Sequence, residues 1–196
     1  MAIPESMTTL NLSGKYIMNK TLSDDPDEIL RLQGVSWFTR RAISMATIYQ
    51  SMKHYKDDSD VEHLDIDQVL SGGVAASTEL RTLDWKERET AHSLFGAVLG
   101  RSRRVKLQDL EDEYLKQGWL PSVETDGAIQ GIAQSDTAKS GTTWDSDQIF
   151  GLEEINGEKR HTRHIHFTGP GGESILARMV YDYGEHDILL CIAQGN

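Results

Sequence analysis

His164-Ile165-His166 holds the two side chains whose types and spacing most directly invite chemistry. Alternate strand residues share a face, so both imidazoles would point the same way. They can grip one metal ion, move a proton or hydrogen-bond a developing oxyanion. A metal needs further ligands, and Glu173, seven residues on, falls on the opposite face by alternation. No metal is therefore assigned; the pair reads either as two satisfied buried imidazoles or as groups aimed at a bound molecule. Cys191 is the single cysteine, which leaves no disulfide framework, thiolate zinc cluster or CxxC pair. It reads as a small buried strand residue. Asp57-Asp58-Ser59-Asp60 begins like a calcium loop but lacks the later Gly and Glu, so it reads as a hairpin turn. No serine sits in a G-x-S-x-G elbow, and Gly169, Gly171 and Gly172 open no helix that would cradle phosphate.

The elements that must position the histidines are strands. Residues 12–20 read as the first strand. Ser23-Asp24-Asp25-Pro26-Asp27-Glu28 then supplies a cap, a helix-compatible Pro and first-turn acids. Helices over 25–32 and 35–43, broken at Gly34, make a helix-turn-helix lid within residues 24–44. Strands follow over 45–55, 61–71, 74–83 and 90–99, then 147–155, 158–168, 173–183 and 188–193. Asn156-Gly157 is a type I′ hairpin turn. Residues 105–145 read as an insertion or mobile loop, with a helix possible over 107–118. The expectation is a mainly β, single up-and-down antiparallel barrel spanning 1–196.

Loop lengths decide which residues lie side by side. Two- and four-residue loops in the C-terminal hairpins place Ile149, Thr162, His164, His166, Ile175, Ala177, Met179, Tyr181, Tyr183, Ile188, Leu190 and Ile192 on one uncharged face. That face is taken as interior; Arg163, Arg178 and Asp182, among Phe150, Leu152, Phe167 and Leu176, are placed outside. At Gly72-Gly73 a three-residue loop pairs Asp65 with Arg81 outside and leaves Leu64, Ile66, Gln68, Thr78 and Leu80 inside. His63, Asp65, Asp67, Glu79 and Arg81 then form a solvated face. His164, His166 and Tyr181 are the candidate catalytic groups. Gln68, Thr78, Met179 and Tyr183 are candidate ligand contacts, Trp37 a gate on the lid, and Arg41 beside Arg40 a guide for an anion.

The 196 residues are 38% hydrophobic and 26% charged, a composition that folds around a core. A net charge of −11 opposes nucleic-acid backbones. The first ten residues lack a basic and apolar leader, and no apolar run spans a bilayer, so a cytoplasmic protein is expected. The expected partner is an apolar small molecule, with homodimerisation left open.

A strand, two short helices reading LQGVSWFTRRAI, and then antiparallel strands including Thr78-Glu79-Leu80 resemble the fatty-acid-binding branch of the calycins. SGKYIMNKTLSDD, LQGVSWFTRRAI, TELRTLDW and GRSR look like fungal lipocalin-like proteins over nearly the whole chain. That resemblance implies a lidded barrel and cofactor-free cyclisation or dehydration of an apolar polyketide or terpenoid intermediate. It includes hetero-Diels–Alder coupling through a quinone methide. A non-catalytic lipid or pigment carrier uses the same cavity and is the competing expectation.

Overall fold

The computed structural model describes residues 1–73 and 76–184. The strand expected over 188–193, with Ile188, Leu190, Ile192 and Cys191, lies outside the described residues. Those described contain one antiparallel sheet of ten strands: β1 (Gly14–Met18), β2 (Ile48–Lys56), β3 (Glu62–Leu70), β4 (Ala76–Thr82), β5 (Arg88–His92), β6 (Gly96–Val105), β7 (Ala128–Ser135), β8 (Asp145–Ile155), β9 (Glu158–Thr168) and β10 (Ser174–Tyr183). β1 pairs with β10, and the two sheet ends are the consecutive strands β4 and β5. The sheet curls until β4 lies beside β6, where Asp84 bridges to Arg103 and the Trp85 N–H donates to the Ser102 carbonyl at 2.9 Å. Among the described residues no ladder joins β4 to β5, so the barrel is nearly closed and carries one seam.

The lid is α1 (Asp27–Leu32) and α2 (Trp37–Met45), one residue beyond the expected 24–44 at its end. Asp27 and Glu28 offset the positive end of α1, and Ser36 Oγ caps α2 by accepting from the Thr39 N–H at 3.2 Å. Ile29, Leu32 and Ile43 are buried in the core cluster beneath it. The other barrel end is closed by the N-terminal segment. Leu12 is fully buried, its N–H donates to His54 Nδ1 at 3.1 Å, and the Tyr16 hydroxyl donates to the Leu12 carbonyl at 2.8 Å. Beside them, burial would raise the Glu62 carboxyl, but its hydrogen bonds with His54 and Arg104 prevail and hold it at about 2.

The expected loop over 105–145 is corrected. It folds as α3 (Glu113–Lys116), α4 (Pro121–Asp126), strand β7 and α5 (Thr137–Ser140). Asp112 caps α3 through the N–H groups of Tyr114 at 2.8 Å and Leu115 at 3.2 Å. Trp119, following α3, lies on the outer face of β8 in a notch that only glycine leaves open: a Cβ at Gly151 would sit 2.6 Å from its ring. The Trp119 indole N–H donates to the Leu115 carbonyl at 2.8 Å, and the Leu120 N–H donates to Leu152 at 2.9 Å. The strand expected over 90–99 is also redrawn, because β5 ends at His92 and β6 carries the basic run to Val105.

Register sets which side chains see the interior. In the β9–β10 hairpin Thr168 pairs with Ser174, so the loop holds five residues, closed by the Gly169 N–H on the Glu173 carbonyl at 2.9 Å. One residue more than the expected four turns β9, and β8 with it, inside out relative to β10. Ile175, Ala177, Met179, Tyr181 and Tyr183 keep their inward side, and they now pair with Phe167, Ile165, Arg163, His161 and Tyr16 respectively. Arg163 therefore faces in with Phe150, Leu152 and Phe167, while Ile149, Thr162, His164 and His166 face out. In the β3–β4 hairpin Ile66 pairs with Glu79 and Asp65 with Leu80, the tight register. Ser77, Glu79 and Arg81 share the inner side with Gln68 and Ile66. Leu80 is 68% exposed, and Thr78 donates to Asp67 outside at 2.7 Å.

Candidate functional site

Between lid and barrel floor lies a cavity of two lobes, each about 170 Å³. Gln33, Glu79, His92, Phe95 and Gln148 border both lobes. One lobe lies under α1 and reaches Met179 and Tyr181. The other lies at the seam between β4 and β5, against Val98, Ile132 and Trp144. Each lobe has the order of volume that accepts a benzene-sized group. An elongated apolar molecule would occupy both.

The wall mixes apolar and polar side chains, and a few of the polar ones are placed to meet a ligand. Glu79 accepts from Arg81 at 2.5 Å; burial alone would raise its carboxyl, but Arg81 and Arg163 hold it below the usual range, so it stays anionic. Arg163 differs from Arg81. No described residue gives its guanidinium a hydrogen bond or ion pair; Nε is buried without a partner, and the group lies 5.5 Å from the centre of the Phe150 ring. Gln148 donates to Ser146 Oγ at 3.0 Å while its buried carbonyl oxygen has no donor. A cavity that leaves one cationic donor and one amide acceptor without a partner among the described residues is set up to bind a polar end of its ligand. His92 stacks on Phe95 at 4.3 Å and accepts the Leu94 N–H at Nδ1, so the proton is on Nε2; burial keeps the imidazole pKa below the ordinary value against the pull of Glu79. Burial raises the Tyr181 phenol, which stays neutral as a donor beside Gln50, itself bonded to Gln68 at 2.9 Å.

Of the residues expected from sequence, Gln68, Met179 and Tyr181 border the lobe under α1, and Thr78 borders the lobe at the seam. The Thr78 hydroxyl is turned away from that lobe and donates to Asp67 at 2.7 Å. Tyr183 lies below the cavity, its ring 5.4 Å from that of Tyr16. Trp37 is 62% exposed and packs on Phe38 at 5.0 Å, and Arg41 is exposed; neither borders the cavity lobes. The inward placing of His164 and His166 is corrected by the loop of five. His164 is buried beneath the insertion between Tyr114 at 5.1 Å and Trp119 at 4.2 Å, with Nε2 3.2 Å from Glu153. His166 lies on the same outer face, bonded to Asp112. Arg163, Glu79, Gln148 and His92 were not anticipated. The available signal was the bulk of Phe150, Leu152 and Phe167 sharing the side of Arg163.

Below the cavity, His161 is fully buried between Tyr16 at 5.3 Å and Tyr181 at 5.2 Å, and donates from Nδ1 to the Gly151 carbonyl at 3.0 Å. Burial lowers its pKa to about 4. The fold thus prefers the neutral ring, and the unfolded chain takes up the proton first, from its ordinary 6.5. Stability from this residue is complete above that value and is lost as pH falls toward 4. Denaturant titrations at both ends of that window should show about 3 kcal/mol lost in the wild type. His161→Phe should lose markedly less; an equal loss in the variant would refute the assignment.

Among the described residues no group of three or more His, Cys, Asp or Glu side chains is placed to hold a metal ion, and no helix is long and apolar enough to cross a membrane. No family model matches the chain. It is 29% identical over 185 residues to the probable pericyclase scpY of Mollisia scopiformis, covering 93% of this chain and 94% of that one. It is 27% identical over 186 residues to the pericyclase pydY of an Acremonium species, covering 93% and 97%. Among solved structures, a Schistosoma mansoni fatty acid binding protein in complex with arachidonic acid superposes with a TM-score of 0.55 at 13% identity, covering 92% of this chain and 99% of that one. The fluorescent protein UnaG superposes at 0.51 with 12% identity, covering 88% and 97%. The fold is that of the calycin-like fatty-acid-binding barrels, and the chain is similar along nearly its full length to fungal pericyclases.

Proposed function

We propose that this chain is a pericyclase of fungal secondary metabolism that folds an apolar polyketide or terpenoid intermediate across the two cavity lobes and closes a ring without a resident cofactor. The observation that carries this reading is the Arg163 guanidinium on the cavity wall, which has no hydrogen-bond or ion-pair partner among the described residues. A cycloaddition needs its two reacting parts held at bonding distance, which confinement supplies. It gains further when a hydrogen bond to a carbonyl of one part strengthens as electron density moves onto that oxygen. Arg163 supplies that bond, and the Gln148 carbonyl orients a neighbouring hydroxyl or N–H. Tyr181 donates from the floor, and Met179 and Phe95 shape the apolar path. A quinone methide serving as heterodiene carries such an oxygen, which makes hetero-Diels–Alder coupling the form of the reaction that this wall suits. No covalent intermediate is required, and the proton on His92 is free to tautomerise a product.

The competing reading is a carrier, favoured by likeness to a fatty-acid-binding fold. Purified protein added to the linear precursor that accumulates in a strain lacking the gene separates the two. The pericyclase reading expects faster ring closure and one dominant stereoisomer. Binding of the precursor with unchanged rate and product ratio would establish the carrier instead.

A further inference from the structure

The outer face of the barrel carries a second constellation that the cavity does not use. His166 Nε2 lies 2.8 Å from Ser174 Oγ, and its Nδ1 is hydrogen-bonded to Asp112 Oδ2. Three separate parts of the chain meet here. Asp112 comes from the cap of α3, where its other oxygen is pinned by the Tyr114 and Leu115 N–H groups. His166 projects outward from β9, and Ser174 opens β10 two positions before Leu176, the residue paired with His166. Ser174 is exposed and His166 partly so. With the Nδ1 proton directed to Asp112, the Nε2 lone pair faces the serine hydroxyl, and the hydroxyl donates. This is the order carboxylate, imidazole, hydroxyl in which a base activates a nucleophile.

We infer that Asp112, His166 and Ser174 form a surface acyl-transfer site, separate from the cavity, that takes uncharged activated esters or thioesters. Ser174 Oγ attacks the acyl carbon and its proton passes to His166 Nε2. The bond from carbon to the leaving oxygen or sulfur breaks, and that atom receives the proton from His166. Water, deprotonated by the same nitrogen, then releases the acid and restores the serine. Asp112 is the positioning residue, holding the ring and its tautomer. Asp147, paired across the strands with His166, and Glu173, next to Ser174, make the surroundings acidic. The Glu173 carboxylate is already turned to the Gly171 N–H at 2.8 Å. Anionic acyl donors are therefore disfavoured.

The test uses the full chain and p-nitrophenyl acetate, following p-nitrophenolate release, intact mass and the acetylated peptide. One acetyl group on Ser174 is expected. Ser174→Ala should abolish it while leaving ring closure in the cavity unchanged. His166→Gln should slow acylation about 100-fold, the usual scale for losing a general base. Asp112→Asn keeps a capping side chain and should lower the acylation rate about 10-fold with little change in the half-saturating ester concentration. Acetylation only at lysines, or acetylation of Ser174 at the same rate in His166→Gln, overturns the inference. Ser174→Ala alters one exposed side chain, so the test stands even where the histidine variant is unstable.

Discussion

Arg163→Gln should lower the first-order rate of ring closure about 100-fold, the scale on which removal of one preorganised donor to a developing charge is felt. Binding of the precursor should weaken far less, because its apolar contacts with Phe95, Met179 and the lid are untouched. The fold should persist as well. Glu79 keeps its bond to Arg81, so no buried carboxylate loses its hydrogen-bonded partner. Arg163→Lys should recover part of the rate, since a cation returns without the planar fork. Single-turnover assays at saturating protein check this directly. One further variant protects the interpretation: if Arg163 serves only to neutralise Glu79, then Glu79→Gln combined with Arg163→Gln would regain the wild-type rate. Such recovery, or a single variant within twofold of wild type, would remove Arg163 from the reaction.

Trp119→Ala should cost about 3–5 kcal/mol, the range for emptying a packed aromatic site. The indole fills the notch at Gly151, packs at a tilt against His164 and ties α3 to the sheet through Leu115. At about 2–4 °C per kcal/mol for a chain of this size, the melting temperature should fall by about 10 °C. Gly151→Ala approaches the same joint from the other side. Its new Cβ meets the ring at 2.6 Å, so the tryptophan must move, at a cost of about 1–3 kcal/mol. Thermal unfolding followed by tryptophan fluorescence measures both. A loss below about 2 °C for Trp119→Ala would show that the insertion adds nothing to the stability of the barrel.

The lid and the C-terminal hairpins were legible because their signals are local. Pro26 with two acids starts α1, Ser36 caps α2, and Asn156-Gly157 sets the β8–β9 turn as expected. Which side of β9 faces in was not legible, because that depends on whether Glu173 belongs to the loop or to the strand. Its backbone carbonyl and its carboxylate both close the loop, and a run reading Gly-Pro-Gly-Gly does not announce this. Absence of charge also misled as a mark of the interior. Ile149, Thr162 and His164 are uncharged because the insertion and neighbouring chain bury that outer face. Meanwhile Glu79, Arg81 and Arg163 are tolerated inside because they balance one another around the cavity. Of the residues expected at the site, Met179 and Tyr181 of β10, Gln68 of β3 and Thr78 of β4 border the cavity. Arg163 and Gln148 were hidden by the same parity error, and Glu79 by choosing the wider β3–β4 loop.

The seam has a consequence for behaviour at high concentration. β4 and β5 leave backbone donors and acceptors on facing edges, the feature by which sheets recruit strands from other molecules. The chain limits this hazard with a short β5 whose first residues are Arg88 and Glu89, and by anchoring the β4–β5 connection at Trp85, gripped by Arg101 at 4.4 Å and Arg103 at 4.1 Å. Releasing that clamp would free the edge to template fibrils, so colloidal lifetime and access to the cavity are set by the same few residues.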